Sequence, residues 1–74
     1  MHVVTRKIYC AFPQEIIQEP LLYSIATQFS VVPNIRGASV REDEATMDLE
    51  LEGDEQAIES VIEYLRKRGI TVNE

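Results

Sequence analysis

The chain has 74 residues, 45% of them hydrophobic, with seven basic and thirteen acidic side chains for a net charge of −6. That length holds one domain, residues 1–74, too small for most self-contained enzymes and with a core thin enough that a partner or a second copy would help to stabilise it. A single cysteine excludes a disulfide framework, a four-cysteine zinc site and a cysteine-ligated iron–sulfur cluster within the chain, no apolar run approaches the roughly 20 residues that span a bilayer, and the acidic balance argues against general nucleic-acid binding.

Residues Met1 to Lys7 lack the apolar stretch and cleavage site of a signal peptide, so a cytoplasmic setting is expected. Val3 to Phe12 reads as a first strand: Ile8, Cys10 and Phe12 alternate with Lys7 and Tyr9. Pro13 ends it, because proline cannot donate to a central ladder. Residues 14–19 connect to a helix with Pro20 at its first position and Glu19 before it, and Leu21, Leu22, Ile25, Ala26 and Phe29 form its apolar stripe. Ser30 marks the exit. Val31 to Arg41 is β-branched and predicts a second strand, placed at the sheet edge by Pro33.

Ala45 to Glu52 carries the clearest pattern, with Ala45, Met47, Leu49 and Leu51 alternating with Thr46, Asp48, Glu50 and Glu52. One face is therefore buried and the other wet. Between the second and third strands, Glu42-Asp43-Glu44 is an exposed turn. Gly53 and Asp54 stop the third strand, and Asp54 caps a helix from Glu55 to Arg68 whose buried stripe is Ala57, Ile58, Val61, Ile62 and Leu65. Arg66, Lys67 and Arg68 complement the helix C-terminus, Gly69 is its left-handed stop, and Ile70 to Asn73 closes as a short strand.

The order β-α-β-β-α-β predicts an α+β, ferredoxin-like sandwich: a four-stranded antiparallel sheet of order 4-1-3-2 with both helices on one face. Ile8, Cys10, Phe12, Ile35, Met47, Leu49 and Leu51 should face the helices. Lys7, Tyr9, Asn34, Arg36, Asp48 and Glu50 should look out of the open face. Residues 1–41 are net basic and residues 42–74 strongly acidic, a division expected to meet across the one fold. Register follows from the buried face: Ile35 should share it with Met47 and Leu49, which sets Arg36 opposite Asp48 or Glu50.

Glu19-Pro20-Leu21-Leu22, Phe29-Ser30-Val31, Asn34-Ile35-Arg36, Leu49-Glu50-Leu51-Glu52-Gly53-Asp54, Tyr64-Leu65 and Gly69-Ile70-Thr71-Val72, in that order and spacing, resemble the NIL domain family. The likeness runs from about Arg6 to Val72. It implies an ACT-like, ferredoxin-like fold. It also implies a role such as that of the domains at the C-terminus of methionine-importer ATPases, which bind methionine and switch transport off, or of those fused to ferredoxin-type cluster domains. Arg36 departs from the family's Asn-Ile-Leu triplet, placing a long cation where an apolar residue is usual. With no ATPase domain and no cluster-binding cysteine set, the resemblance implies the small stand-alone form.

The candidate ligand-binding or interface residues are Asn34, Ile35, Arg36, Tyr9 and Lys7. The Asn34 amide offers donors and an acceptor to an amino acid's charged groups, and the resemblance places a ligand near this strand at a dimer interface; the alternative is local bonding beside Pro33. Arg36 is suited to hold a carboxylate, though a cross-strand pair with Asp48 or Glu50 is favoured. Tyr9 and Lys7 share the open face, where they line a groove or dimer contact or simply meet solvent. Cys10 reads as a buried small hydrophobe. No catalytic residue, metal site or cofactor is expected, because the only histidine, His2, has no ligand or nucleophile partner at usable spacing. The leading expectation is a non-enzymatic regulatory module, homodimeric, that recognises a small amino-acid-like ligand, methionine first, and alters an enzyme or transporter partner. The alternative is a protein–protein adaptor docking on an enzyme or ferredoxin-type partner with no small molecule. Ion pairs among Arg36, Asp48 and Glu50 that filled the open face would favour the adaptor.

Overall fold

A computed structural model describes residues 3–13 and 21–74. Its elements are β1 (Val3–Pro13), α1 (Leu21–Gln28), β2 (Val32–Val40), β3 (Glu44–Asp54), α2 (Glu55–Lys67) and β4 (Thr71–Asn73). The sheet order is β2-β3-β1-β4, with every neighbouring pair antiparallel. This is the expected ferredoxin-like arrangement, read from its other edge. The connection at 14–19 and the helix start at Pro20 lie outside the described residues.

The two longest strands, β1 and β3, pair over their full lengths, with Ile8 opposite Leu49, Cys10 opposite Met47 and Phe12 opposite Ala45. Residues directly opposite in an antiparallel pair share a face, so this register lays one apolar surface across the middle of the sheet. Ile58, Val61, Ile62 and Leu65 of α2 close over it, and Ile25 of α1, Val31, Ile70 and Val72 complete the core. Tilted rings of Phe29 and Tyr64, 5.3 Å between centroids, join the ends of the two helices. Ala26, expected in the α1 stripe, is exposed.

Strand β3 runs to Asp54, two residues beyond its expected end, because Gly53 and Asp54 still pair with Val4 and Val3. Asp54 is thus the last strand residue and the N-cap at once, accepting a bond from the Gln56 N–H at 3.1 Å. Helix α2 ends as expected in a complete left-handed motif: Gly69 N–H donates to the Arg66 carbonyl and Ile70 N–H to the Leu65 carbonyl, with Gly69 at φ 84°. A Cβ at Gly69 would meet nothing within 4 Å. Any cost of substitution is therefore conformational, and Gly69→Ala should lose about 1–2 kcal/mol, the left-handed penalty of an L-residue. Urea unfolding of the variant checks this, with Gly69→Asn expected to lose less. The Arg66 guanidinium also donates to the Val72 carbonyl at 3.0 Å, tying the short β4 to α2.

The edge strand β2 departs from the expected register. Asn34 lies opposite Glu50 and Ile35 opposite Leu49, but the next pair is Gly37 with Asp48. Arg36 is the extra residue of a β-bulge. Same-parity pairing therefore holds only before it, and Arg36 has no directly opposite residue. Ile35 shares the face of Leu49 as expected, yet it is 52% exposed where Leu49 is 1% exposed. The helix layer leaves this position of the edge strand uncovered. No helix among the described residues is long and apolar enough to cross a membrane.

Candidate functional site

The uncovered face of the sheet is organised in rows by the strand register. One row is Asn34, Glu50 and Lys7, from β2, β3 and β1. The next is Gly37, Asp48, Tyr9 and Asn73, which adds β4. A depression of about 600 Å³ crosses these rows, lined by Lys7, Tyr9, Arg36, Asp48, Glu50, Asn73 and Glu74, with Ile8 and Leu49 beneath. The Ile8 and Leu49 side chains are buried on the opposite face, so they contribute main chain to its floor.

Three of the five sequence-predicted residues, Lys7, Tyr9 and Arg36, come together here. Asn34 is exposed on the same face beside Glu50 but outside the lining. Ile35 points to the other face. Sequence reasoning did not bring in Asn73 and Glu74, because only the pairing of β4 with β1 places them there. It also treated Asp48 and Glu50 as a solvated face.

Arg36 settles its predicted choice of partner. Its guanidinium meets the Glu50 carboxylate twice, Nη2 to Oε1 at 3.0 Å and Nε to Oε2 at 3.0 Å. The bulge gives the side chain this reach across the strand. The Glu50 side chain is only 17% exposed. The Arg36 bond holds the Glu50 carboxyl below the ordinary carboxylate range, against desolvation, with a smaller contribution from Arg36 and Lys7 charge. Glu50 correspondingly raises the Arg36 pKa. A carboxyl whose pKa is lowered on folding contributes stability that is complete above its unfolded pKa and lost as pH falls through its folded one. Glu50→Gln should therefore flatten the fall in stability on acidification below about pH 4.5, the unperturbed value. Urea melts of both proteins across that acid range measure the difference.

Asp48 takes no part in this pairing. Gly37 lies against it: a Cβ there would come within 3.3 Å of Asp48 Oδ2. The glycine that follows Arg36 thus admits the Asp48 carboxylate close to the β2 backbone, and a lone glycine inside a strand pattern is the sequence signal that could have revealed the bulge. On the helix side, Arg6 binds Glu59 of α2 at 2.5 Å and also Glu74. Burial pushes the Cys10 thiol up to about 11, which keeps it protonated and unreactive at neutral pH. Among the described residues, no group of three His, Cys, Asp or Glu side chains is placed to hold a metal ion.

Residues 8–74 match the NIL domain family. A methionine import ATP-binding protein of Acinetobacter baylyi is 36% identical over 61 residues, which cover 77% of this chain and 18% of that protein. The chain thus spans less than a fifth of the length of that curated relative. Among solved structures, the C-terminal domain of an ABC transporter ATP-binding protein from Enterococcus faecalis superposes with a TM-score of 0.82 at 22% identity, over 92% of this chain and 80% of that one. A de novo designed protein gives a TM-score of 0.61 at 16% identity, over 97% and 94% of the two chains. At these identities the structural likeness is one of fold.

Proposed function

The chain belongs to the NIL domain family, and we propose that it is a regulatory binding module without catalysis of its own, which holds a small amino-acid-like ligand on the open face of its sheet and passes occupancy on to a partner protein. Methionine is the first candidate ligand and a transporter ATPase the first candidate partner, because the curated relative is a methionine import ATP-binding protein. A cytoplasmic site of action belongs to the same reading, since ATP-binding partners work there.

The observation that carries the reading is the open-face depression. It joins an aromatic ring, Tyr9, to charges of both signs, Lys7 and Asp48, over a floor of main chain. An amino acid needs that combination: polar groups for its head and an apolar wall for its side chain. Arg36, Asp48 and Glu50 do not fill the face with ion pairs, because the bidentate pair joins Arg36 to Glu50 and leaves Asp48 out of it. Asn34 and Ile35 enter through a second copy of the chain at the β2 edge, which would bring Asn34 close to the ligand.

Calorimetric titration of the full chain with a panel of free amino acids tests the proposal, methionine first. Saturable heat with methionine supports it. No binding by any amino acid at millimolar concentration would overturn it in favour of the adaptor. That second reading draws on a specific observation of its own: Val32, Ile35 and Val40 stand 52%, 52% and 70% exposed along β2, an apolar edge for a protein to cover.

A further inference from the structure

Seven of the residues lining the open-face depression carry side chains that can meet a ligand's charged head, and three of them are already engaged. Arg36 and Glu50 satisfy each other bidentately. Glu74 is drawn away to Arg6. Asn73 and Tyr9 are uncharged. Lys7 and Asp48 are the two charged lining groups that form no hydrogen bond or ion pair among the described residues.

We propose that Asp48 and Lys7 are the head-group anchors of this site, and that its ligand is a zwitterionic α-amino acid with its ammonium on Asp48, its carboxylate on Lys7 and its side chain along the Tyr9 ring. The inference rests on the ligand-binding reading above and adds to it the residues and the required chemical form of the ligand.

Spacing and charge both carry it. Lys7 lies opposite Glu50 and Tyr9 opposite Asp48, so Lys7 and Asp48 are diagonal neighbours on one face, about 7–8 Å apart at their backbones. Two charge-assisted hydrogen bonds of about 2.8 Å, laid end to end through the one-carbon separation of an α-amino acid's charged groups, span roughly 8 Å between the anchoring atoms. The flexible four-carbon lysine stem lets its ammonium meet that span from a diagonal position. A simple anion leaves Asp48 facing like charge, and a simple cation leaves Lys7 so. An acidic amino acid brings a second carboxylate toward Asp48 and Glu50. The zwitterion with an uncharged side chain answers both anchors at once. Tyr9 stands directly opposite Asp48 and two residues along from Lys7, and it is 43% exposed, so its ring flanks the space between them. A thioether or other apolar side chain packs against such a ring. Arg36, the intuitive carboxylate ligand, is left as a positioning residue that holds Glu50.

The experiment compares L-methionine, N-acetyl-L-methionine and L-methionine amide by calorimetry, on the full chain and on Asp48→Asn and Lys7→Met. Both positions are exposed, and circular dichroism of each variant serves as the check that it is folded. With the unaltered chain, removing either charge from the ligand should weaken binding at least tenfold. Asp48→Asn should abolish the discrimination between methionine and its N-acetyl form while retaining that against the amide. Lys7→Met should do the reverse. If methionine binds the unaltered chain and both variants equally, or if the acetylated and amidated ligands bind as well as methionine, the anchor assignment is wrong while the ligand-binding function stands. If no amino acid binds, both fall.

Discussion

Leu49→Ala is expected to remove about 2–5 kcal/mol of stability, the range for truncating a buried aliphatic side chain. Leu49 is 1% exposed in the central part of β3, opposite Ile8 on β1 and Ile35 on β2. Its removal opens a cavity beneath the floor of the open-face depression, bounded by paired strands that cannot readily collapse into it. Ile62→Ala, on the α2 side of the same core and 2% exposed, should lose a similar amount. A domain of this length has roughly 4–11 kcal/mol in all. Each substitution therefore consumes a large part of the total, and each kcal/mol lowers the melting temperature by about 4–8 °C. Val3→Ala, at a position 63% exposed, serves as the control and should stay within about 0.5 kcal/mol. Chemical denaturation of the three variants decides the matter: near-wild-type stability of Leu49→Ala and Ile62→Ala would mean that the core face is assigned to the wrong side of the sheet.

The core was legible in the sequence because the signals agreed. Alternation on β3, the 3.6-residue stripe on α2, the Asp54 cap and the Gly69 stop each point to the same order of elements, and such local consistency is what lets a pattern specify a fold. Face was therefore readable, but coverage was not. Ile35 lies on the face predicted for it and is nevertheless half exposed, since alternation does not say how far the helix layer extends over an edge. The candidate site was legible in part for the same reason. Lys7, Tyr9 and Arg36 follow from parity along their strands. The bulge at Arg36, by contrast, comes from one extra residue, and it decides that Glu50 rather than Asp48 takes the Arg36 guanidinium. Asn73 and Glu74 reach the site only through the β1–β4 pairing, a contact spanning most of the chain that no local pattern encodes.

The β2 edge leads to the second large expected effect, a two-fold symmetric dimer that one substitution should dissociate. Among the described residues β2 pairs only with β3, so its other edge offers backbone groups to another strand. Pro33 and the bulge at Arg36 blunt this edge in two places, while Val32, Ile35 and Val40 keep it apolar and more than half exposed. A second copy is the economical occupant, because in an isologous contact the apolar residues of one edge meet their own counterparts, and each residue acts twice. Sedimentation of the unaltered chain should show dimer in moderate salt, and Ile35→Lys, a charge of the kind that protects natural sheet edges, should give monomer at the same concentrations with the fold intact. Arg36→Glu should act more broadly: it sets like charge against Glu50 in place of the bidentate pair, weakening the β2–β3 hairpin as well as the contact. An association of about 5.5 kcal/mol already shows at concentrations on the order of 10⁻⁴ M. A monomer there would remove the dimer, and with it the role proposed for Asn34, while leaving Lys7, Tyr9 and Asp48 able to bind within a single copy.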